Sequence, residues 1–176
     1  GGGYLILQLL VEEVSKFEFA DYVTKAILHP LEMHRSTYKF LGDQVNAAQS
    51  FDVDGSLAPT YKYASPAATS FSSSASDLSK LVQALLNDKN FPLDSDTVLL
   101  MREPHGFLMN SGIWGLGTIL YVQASHGDFV FGHDGANEPA INTSVRLNPE
   151  TSDGFVMLVS GHPSLASSIG SEWVLW

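Results

Sequence analysis

Four short runs in the last third of the chain constrain its fold more than any other feature of the sequence. Val, Ile, Phe and Thr are frequent in all of them, and turn residues separate them, which is typical of strands. HGD at 126–128 predicts a hairpin turn, and the segment 148–154 predicts a longer one. Together the runs predict an antiparallel sheet of about four strands. The runs cover residues 115–122, 129–133, 141–147 and 155–160.

Helical periodicity dominates the rest of the chain. Residues 4–14 are apolar nearly all round, which predicts a largely buried helix. A second helix begins near Phe19 and is ended by Pro30. SSASD at 73–77 predicts the capped start of an amphipathic helix that ends near residues 87–88.

Two shorter helices and one long connection complete the prediction. The helices are expected at 95–102 and 164–176, the second covering one face of the sheet, whereas residues 37–65 lack a steady period and predict an irregular connection. Helices followed by strands and a final helix predict an α+β fold. Uniform composition over 176 residues predicts one domain, residues 1–176.

Composition narrows the classes of partner. Nineteen acidic and nine basic residues give a net charge of -10, which disfavours nucleic acid and anionic membrane surfaces. No apolar run approaches the roughly 18 residues of a membrane helix, so we expect a soluble chain. The absence of cysteine excludes disulfides and a thiolate nucleophile. The chain opens on Gly1 without a visible signal peptide, which leaves the compartment undetermined and allows a natural start upstream.

The tripeptide His133-Asp134-Gly135 follows a predicted strand and has two interpretations. Asp-Gly is a favoured turn pair, and a histidine beside it is then a solvated surface residue. Alternatively, the end of a strand presents a histidine and a bare backbone edge to a ligand. Residue types alone leave both interpretations open.

Eight short segments, spread over nearly the whole chain, occur in the order of one enzyme family. They are GGGY at 1–4, PLEM at 30–33, PAATSF at 66–71, SSASDL at 73–78, WGLG at 114–117, HDGAN at 133–137, RLNP at 146–149 and DGFVML at 153–158. The set resembles the serine hydrolases related to class C β-lactamases and penicillin-binding D,D-peptidases, in which Lys-Thr-Gly becomes His-x-Gly in many relatives. The resemblance implies a truncated β-lactamase/transpeptidase-like fold.

The resemblance implies roles for three residues of the HDGAN segment and for Gly1. His133 matches the basic position of the third motif, a hydrogen-bond donor to the proton network or to a substrate carboxylate. Gly135 matches the position where a side chain would block substrate from lying along the strand. The N–H of Ala136 matches one of the two oxyanion donors. Gly1 matches the third residue of Tyr-x-Asn, where glycine supplies no side-chain amide.

The resemblance also implies that half of the catalytic site is absent. The family's Ser-x-x-Lys nucleophile and its Tyr-x-Asn tyrosine precede the segment that matches Gly1, so we expect this chain to be inactive alone. Ser36 and Lys39 reproduce the letters of Ser-x-x-Lys but follow PLEM instead of opening a buried helix, so they are not expected to act. Three alternatives stay open: a truncated hydrolase, a non-catalytic binding or self-associating protein, and complementation by a second polypeptide.

The sequence predicts no metal site and no cofactor. His29 and His34 are five residues apart and would not share a helix face. Asp52 and Asp54 lie in a polar segment and are expected to be solvated, and Trp173 and Trp176 are expected to be core or interface anchors.

The partner predictions concern the strand at 155–160. In the family, strands from the amino-terminal half pair beside the matching strand, so the resemblance implies an open edge here. Residues 155–159 carry neither charge nor proline, the usual protection of an edge. We therefore expect a homodimer through the 155–160 edge, or a folded-back segment that covers it, and a peptide or carboxylate as a possible ligand of the retained cleft edge.

Overall fold

An antiparallel sheet with sequential strand order organises the fold. The computed structural model describes residues 1–42, 46–87, 92–108 and 112–176, which contain six strands in the order β1-β2-β3-β4-β5-β6. The strands are β1 Gly106–Leu108, β2 Gly112–Trp114, β3 Ile119–Gln123, β4 Phe129–Asn137, β5 Ile141–Asn148 and β6 Asp153–Ser160. The predicted α+β class is confirmed, with two short strands, β1 and β2, beyond the four expected.

Helices lie on both faces of the sheet. Helix α4 contacts β6 and β5, and helix α6 contacts β5, β6 and β4. Ser74 Oγ accepts a hydrogen bond from Asp77 N at 3.2 Å, which is the predicted cap of α4. The helices are α1 Gly2–Ser15, α2 Phe19–Val23 with a π-helical continuation over Thr24–Leu28, α3 Pro66–Thr69, α4 Ala75–Asn87, α5 Ser95–Leu100 and α6 Leu165–Val174.

Helix α4 joins two parts of the hydrophobic core. Leu78 and Ala84 pack with Val23, Leu28 and neighbouring residues of the segment 23–33. Val82 and Leu85 of the same helix pack with residues of the sheet, among them Phe131 and Leu147. Helix α4 therefore joins the helical segments to the sheet, because its apolar surface is wide enough to contact both.

The connection between residues 37 and 65 is irregular wherever it is described, as predicted. Its ladder contacts are two isolated bridges, Thr37 with Ser72 and Phe51 with Leu57. The single-domain assignment stays a prediction. Across the described parts of the chain, no helix combines the length and apolar character needed to cross a bilayer.

Helix α1 differs from its prediction. Apolar residues all round predicted burial, but none of its residues is buried, and Ile6 and Val14 are 71% and 76% exposed. Its tertiary contacts are with α2 and α3, which cover only one side. The helix forms because Leu, Gln and Glu favour it locally, whereas burial depends on long-range packing that local preference does not specify. Trp176 is also exposed. The ring of Trp173, in contrast, stacks on the ring of Phe155, with centroids 6.0 Å apart.

Strands β4 and β5 approach so closely at Gly132 that a side chain cannot fit. A Cβ atom built on Gly132 would lie 2.0 Å from the carbonyl oxygen of Val145. Backbone cannot move away without breaking the ladder, in which Gly132 pairs with Arg146. At Gly135 the obstacle is different, because a Cβ would lie 2.5 Å from Thr143 Oγ1, a hydroxyl that can rotate to another rotamer.

We expect Gly132→Ala to lower the free energy of unfolding by about 3 kcal/mol or more, because the strands must separate. Gly135→Ala is the matched control in the same strand and should lower it by about 1 kcal/mol or less. Urea denaturation followed by circular dichroism measures both. Equal losses for the two variants would show that backbone approach does not distinguish the two glycines.

Candidate functional site

The tripeptide His133-Asp134-Gly135 lies in the middle of β4. The sequence predicted a strand end at His133, which is wrong, because β4 runs to Asn137 and pairs with β5 as far as Ile141. The turn falls at residues 138–140 instead. The interpretation of Asp-Gly as a hairpin turn is thereby excluded. Asp134 does not break the strand because its carboxylate is bound by Arg146 of β5.

One edge of β4 lacks a strand partner beyond Gly132. Strand β3 pairs with β4 from Phe129 to Gly132, and the pairing stops there. Among the described strands, residues 133–137 are paired by β5 alone. This unpaired stretch, which we call the β4 edge, contains His133, Gly135 and Ala136 and is the candidate site. A backbone edge of this kind can bind an extended ligand by main-chain hydrogen bonds.

The pairing register divides the residues of the β4 edge between two faces of the sheet. Directly opposed residues of an antiparallel pair share a face, and successive residues alternate. His133 opposes Val145 and Gly135 opposes Thr143, so both lie on the face that carries α4. Asp134 opposes Ser144 and lies on the face covered by α6. His133 and Gly135 therefore lie on the same face of the sheet.

The His133 imidazole is exposed at the candidate site and is held by two contacts. Its Nδ1 lies 2.5 Å from the backbone oxygen of Asp134. Its ring meets the ring of Trp114 edge-on, with centroids 5.6 Å apart and an interplanar angle of 67°. Trp114 Nε1 is buried and has no hydrogen-bond partner in the described part of the chain. These contacts leave Nε2 as the ring nitrogen available to a ligand.

Ala136 is exposed on β4. The turn that follows, at residues 138–140, is held by a contact from outside the sheet. The hydroxyl of Tyr63 donates to the carbonyl oxygen of Glu138 at 3.3 Å, which places the long connection beside this end of β4. The oxyanion role of the Ala136 N–H stays a prediction, as do the roles of His133 and Gly135. Gly1 immediately precedes α1, and a Cβ on it would lie 3.4 Å from Ala68 Cβ.

An ion pair between a buried arginine and a partly exposed aspartate lies beneath the β4 edge, and sequence reasoning missed it. Arg146 Nη1 and Nη2 donate to the two carboxylate oxygens of Asp134 at 2.7 and 3.0 Å, and the Arg146 side chain is 0% exposed. The guanidinium lies 3.8 Å from the centre of the Tyr121 ring. A charged residue inside the apolar run of β5 signals a required partner, but the sequence does not give the register that identifies it.

Tyr121 completes this cluster as a donor. Its hydroxyl lies 3.4 Å from Asp134 Oδ2. Burial raises the pKa of the Tyr121 phenol, the adjacent Arg146 lowers it, and Asp134 raises it further, so that the net shift is strongly upward. The phenol is therefore protonated at any ordinary pH and donates to the carboxylate.

Ser36 and Lys39 do not form a catalytic pair. Ser36 Oγ donates to Asp77 Oδ2 at 2.9 Å, while Lys39 Nζ lies 2.6 Å from Asp21 Oδ1. The hydrogen bond and the charge of Asp21 raise the pKa of the Lys39 ammonium, which keeps it protonated. A lysine that activates serine must instead lose its proton. The structure thus separates two residues that match Ser-x-x-Lys only by spacing.

The other titratable candidates form no metal site. Groups of three or more potential ligands that could hold a metal ion do not occur within the described ranges. Asp52 and Asp54 bind neighbouring backbone N–H groups, Val53 N and Ser56 N, so they shape their own loop. This local use agrees with their prediction as solvated loop residues.

A comparison with models of protein families shows to which family this chain belongs. The family model described as Beta-lactamase matches residues 1–172. The chain belongs to the beta-lactamase family. A comparison with curated protein sequences finds no significant match.

Solved structures of this family share the fold of the chain. It matches the octameric penicillin-binding protein homologue from Pyrococcus abyssi with a TM-score of 0.78 at 23% identity, over 98% of this chain and 40% of that one. A class C beta-lactamase matches with a TM-score of 0.77 at 16% identity, over 98% and 55%. The Beta-Lactamase/D-Alanine Carboxypeptidase from Pseudomonas syringae matches with 0.77 at 13% identity, over 98% and 57%. The chain therefore spans between 40% and 57% of the length of these proteins.

Asp77 ties the segment after PLEM to helix α4. Its Oδ2 accepts hydrogen bonds from Arg35 N at 2.7 Å and from Ser36 Oγ at 2.9 Å, and the residue is buried. Burial alone would raise the pKa of this carboxyl, but those two hydrogen bonds and the charge of Lys80 bring it below its ordinary value of 3.8. The ionised form is therefore the one that the folded state favours.

Asp77→Asn should lower the free energy of unfolding at pH 7 by about 1–3 kcal/mol, because a charged acceptor of two hydrogen bonds is lost. The stabilisation by the carboxylate is present above pH 3.8 and is lost as the pH falls through the lower, folded-state pKa. Urea midpoints measured from pH 7 to pH 3 should converge for the two proteins. Asp96→Asn, at an exposed site in α5, is the control; a wild-type to Asp77→Asn difference independent of pH would contradict the role of ionisation.

Proposed function

We propose that this chain forms one wall of the acyl-transfer site of a serine hydrolase and is inactive without a nucleophile supplied from outside these 176 residues. The observation that carries the proposal is the β4 edge, which presents His133 and Gly135 on one face beside unpaired backbone. Strand-edge alignment of a substrate and an N–H donor toward an oxyanion are parts of acyl transfer that need no nucleophile in the same segment.

The roles follow the family's third motif residue by residue. His133 contacts the proton network or the substrate, Gly135 leaves room for a substrate along the strand, and the N–H of Ala136 donates to the oxyanion. The reaction proposed for the complete site is acyl transfer from an ester, amide or lactam to a serine and then to water. Family membership supports this reaction class, and Ser36 is not a substitute nucleophile because its hydroxyl is bound to Asp77.

Helix α1 supports the requirement for additional polypeptide. Its exposed residues include Leu5, Ile6, Leu7, Leu9 and Leu10. Apolar surface of this extent on an acidic chain favours association, since each covered Å² contributes about 25 cal/mol. A polypeptide that packs on α1 would also lie beside Gly1, which matches the third residue of the second motif. The proposal therefore places the missing catalytic groups on the polypeptide that covers α1.

The isolated chain should form no acyl-enzyme. Incubation with a penicillin or with a fluorophosphonate, followed by intact-mass measurement, should leave the mass unchanged, because an oxyanion donor without a nucleophile cannot form a covalent intermediate. Ser36→Ala is the matched control. A stoichiometric adduct on the wild type that disappears in Ser36→Ala would contradict the proposal.

A second candidate function, non-catalytic self-association, rests on β6. This strand pairs with β5 along its length and is the outermost strand of the described sheet. The segment before α6 does not cover it, since Gly161 N and His162 N both donate to the carbonyl of Ala140. Within the described residues, the hydrogen bonds that fasten this strand from outside the sheet lie at its end, where Ser160 Oγ accepts from Phe51 N and donates to Gln49 O. A second copy that offers the same strand would pair with this edge in a closed dimer.

In this second function the β4 edge would bind a peptide or a carboxylate without reaction. Such a ligand would add main-chain hydrogen bonds along residues 133–137, and His133 would contact it from the α4 face. The acyl-transfer proposal and this one share the β4 edge and differ in whether covalent chemistry follows.

Leu158→Lys should convert a dimer into a monomer, because it places a charge on the edge strand that the partner would cover. Val122→Lys is the matched control, since Val122 is 41% exposed and Leu158 39%, but Val122 lies on an inner strand. Sedimentation equilibrium at micromolar concentration gives the masses, and amide exchange along residues 155–160 reports protection. A monomeric wild type with fast exchange there would contradict association through β6.

A further inference from the structure

We propose that His133 is held as the Nδ1–H tautomer and accepts a hydrogen bond through Nε2, with Asp134, Arg146 and Tyr121 as the residues that position it. The inference deepens the proposed acyl-transfer site and rests on the β4 edge being the ligand site. It differs from the donor role that the third motif implies for its basic residue.

The tautomer follows from the partner of Nδ1. A backbone carbonyl oxygen only accepts hydrogen bonds, so the 2.5 Å contact between His133 Nδ1 and Asp134 O requires the proton on Nδ1. In the neutral ring the other nitrogen, Nε2, then carries a lone pair. The edge-on ring of Trp114 limits rotation of the imidazole on its other side. The ring therefore presents an acceptor to the groove beside β4.

The carbonyl that accepts from His133 Nδ1 belongs to Asp134, whose side chain is held by three hydrogen bonds on the opposite face of the sheet. Asp134 receives two hydrogen bonds from Arg146, at 2.7 and 3.0 Å, and one from Tyr121 at 3.4 Å. Arg146 is itself confined, because its guanidinium lies 3.8 Å from the centre of the Tyr121 ring and a Cβ on Gly170 of α6 would lie 3.2 Å from its Cζ. Asp134 thus connects the buried cluster on one face to His133 on the other.

Stability alone gives little reason for this cluster. Arg146 is fully buried and Asp134 is 30% exposed, and taking charge out of water opposes the attraction within the pair, so such an ion pair is often no better than apolar packing. Within the described residues, Arg146 Nε and the neighbouring Ser144 Oγ are buried and lack hydrogen-bond partners, which adds a penalty. A cluster that is incompletely satisfied and lies directly beneath the motif histidine is better explained by positioning.

The tautomer determines which ligand group fits beside His133. A lone pair on Nε2 accepts from a hydroxyl, an amide N–H or an ammonium group. A carboxylate would require the doubly protonated ring at the same point. In an acyl-transfer reaction the same lone pair can receive a proton from an attacking hydroxyl or water and return it to the leaving group, so charge and protons balance. His133 is accordingly assigned as an acceptor toward the substrate class of the proposed function.

The test is nuclear magnetic resonance on chain labelled with ¹⁵N-histidine at neutral pH. The chain has six histidines, and His133→Gln identifies the resonances of His133 by their disappearance. We expect a protonated Nδ1 and an unprotonated Nε2. A protonated Nε2, or averaged shifts of the two nitrogens, would overturn the assignment of His133 as an acceptor.

The positioning role is tested by removing both charges of the ion pair in Asp134→Ser/Arg146→Met. The folded double variant should show averaged nitrogen shifts for His133, whereas Asp128→Asn, at an exposed site just before β4, should not change them. A folded double variant that keeps the Nδ1–H pattern would overturn the positioning role. If the double variant does not fold, Tyr121→Phe removes only the 3.4 Å hydrogen bond and should shift the pattern partly toward the average; an unchanged pattern overturns the role.

These outcomes are separate from those of the proposed function. The nitrogen shifts are read on the isolated chain and do not depend on an acyl-enzyme or a partner. An acyl adduct at Ser36 would defeat the proposed function and leave the tautomer as measured. The Nε2–H tautomer would defeat this inference and leave the β4 edge as a candidate wall of the acyl-transfer site.

Discussion

The pairing of β4 with β5 is the constraint on which the sheet and the candidate site both depend. This ladder runs from Phe131 with Leu147 to Asn137 with Ile141 and allows no side chain at Gly132. A slip of one residue would move His133 to the face of α6 and Asp134 to the face of α4. The buried Arg146 opposes such a slip, because its guanidinium would lose its carboxylate partner in the middle of the fold. Register, ion pair and histidine placement are therefore one coupled arrangement.

Two surfaces of the described structure are more apolar than a solitary chain favours. Helix α1 is uncovered on most sides, and β6 has a free edge whose residues 155–159 lack charge and proline. The solved proteins that share this fold are about twice as long as the part that matches this chain. Exposed apolar surface of this extent favours association, which supports the proposed cover for α1 and for the β6 edge.

Family membership and catalytic competence are separate questions for this chain. The fold is shared with solved structures at 13–23% identity, a level at which the backbone arrangement persists while chemistry can differ. The roles proposed for His133, Gly135 and Ala136 are to orient a substrate and to donate hydrogen bonds. Covalent catalysis additionally needs an activated nucleophile, and the nearest match in sequence has its serine on Asp77 and its lysine on Asp21.

Local sequence determined the elements, and the tertiary structure decided where they are exposed and how they end. The strands β3 to β6, the cap at Ser74 and the irregular connection followed from periodicity and turn chemistry, which act within a few residues. Periodicity could not show that α1 is uncovered, since an apolar helix looks the same whether or not something packs on it. Nor could it show that β4 continues past His133, because Asp134-Gly135 favours a turn locally, whereas pairing with β5 and the contact with Arg146, twelve residues away, keep it extended. Burial, register and charge pairing depend on residues distant in sequence, and these decided the candidate site.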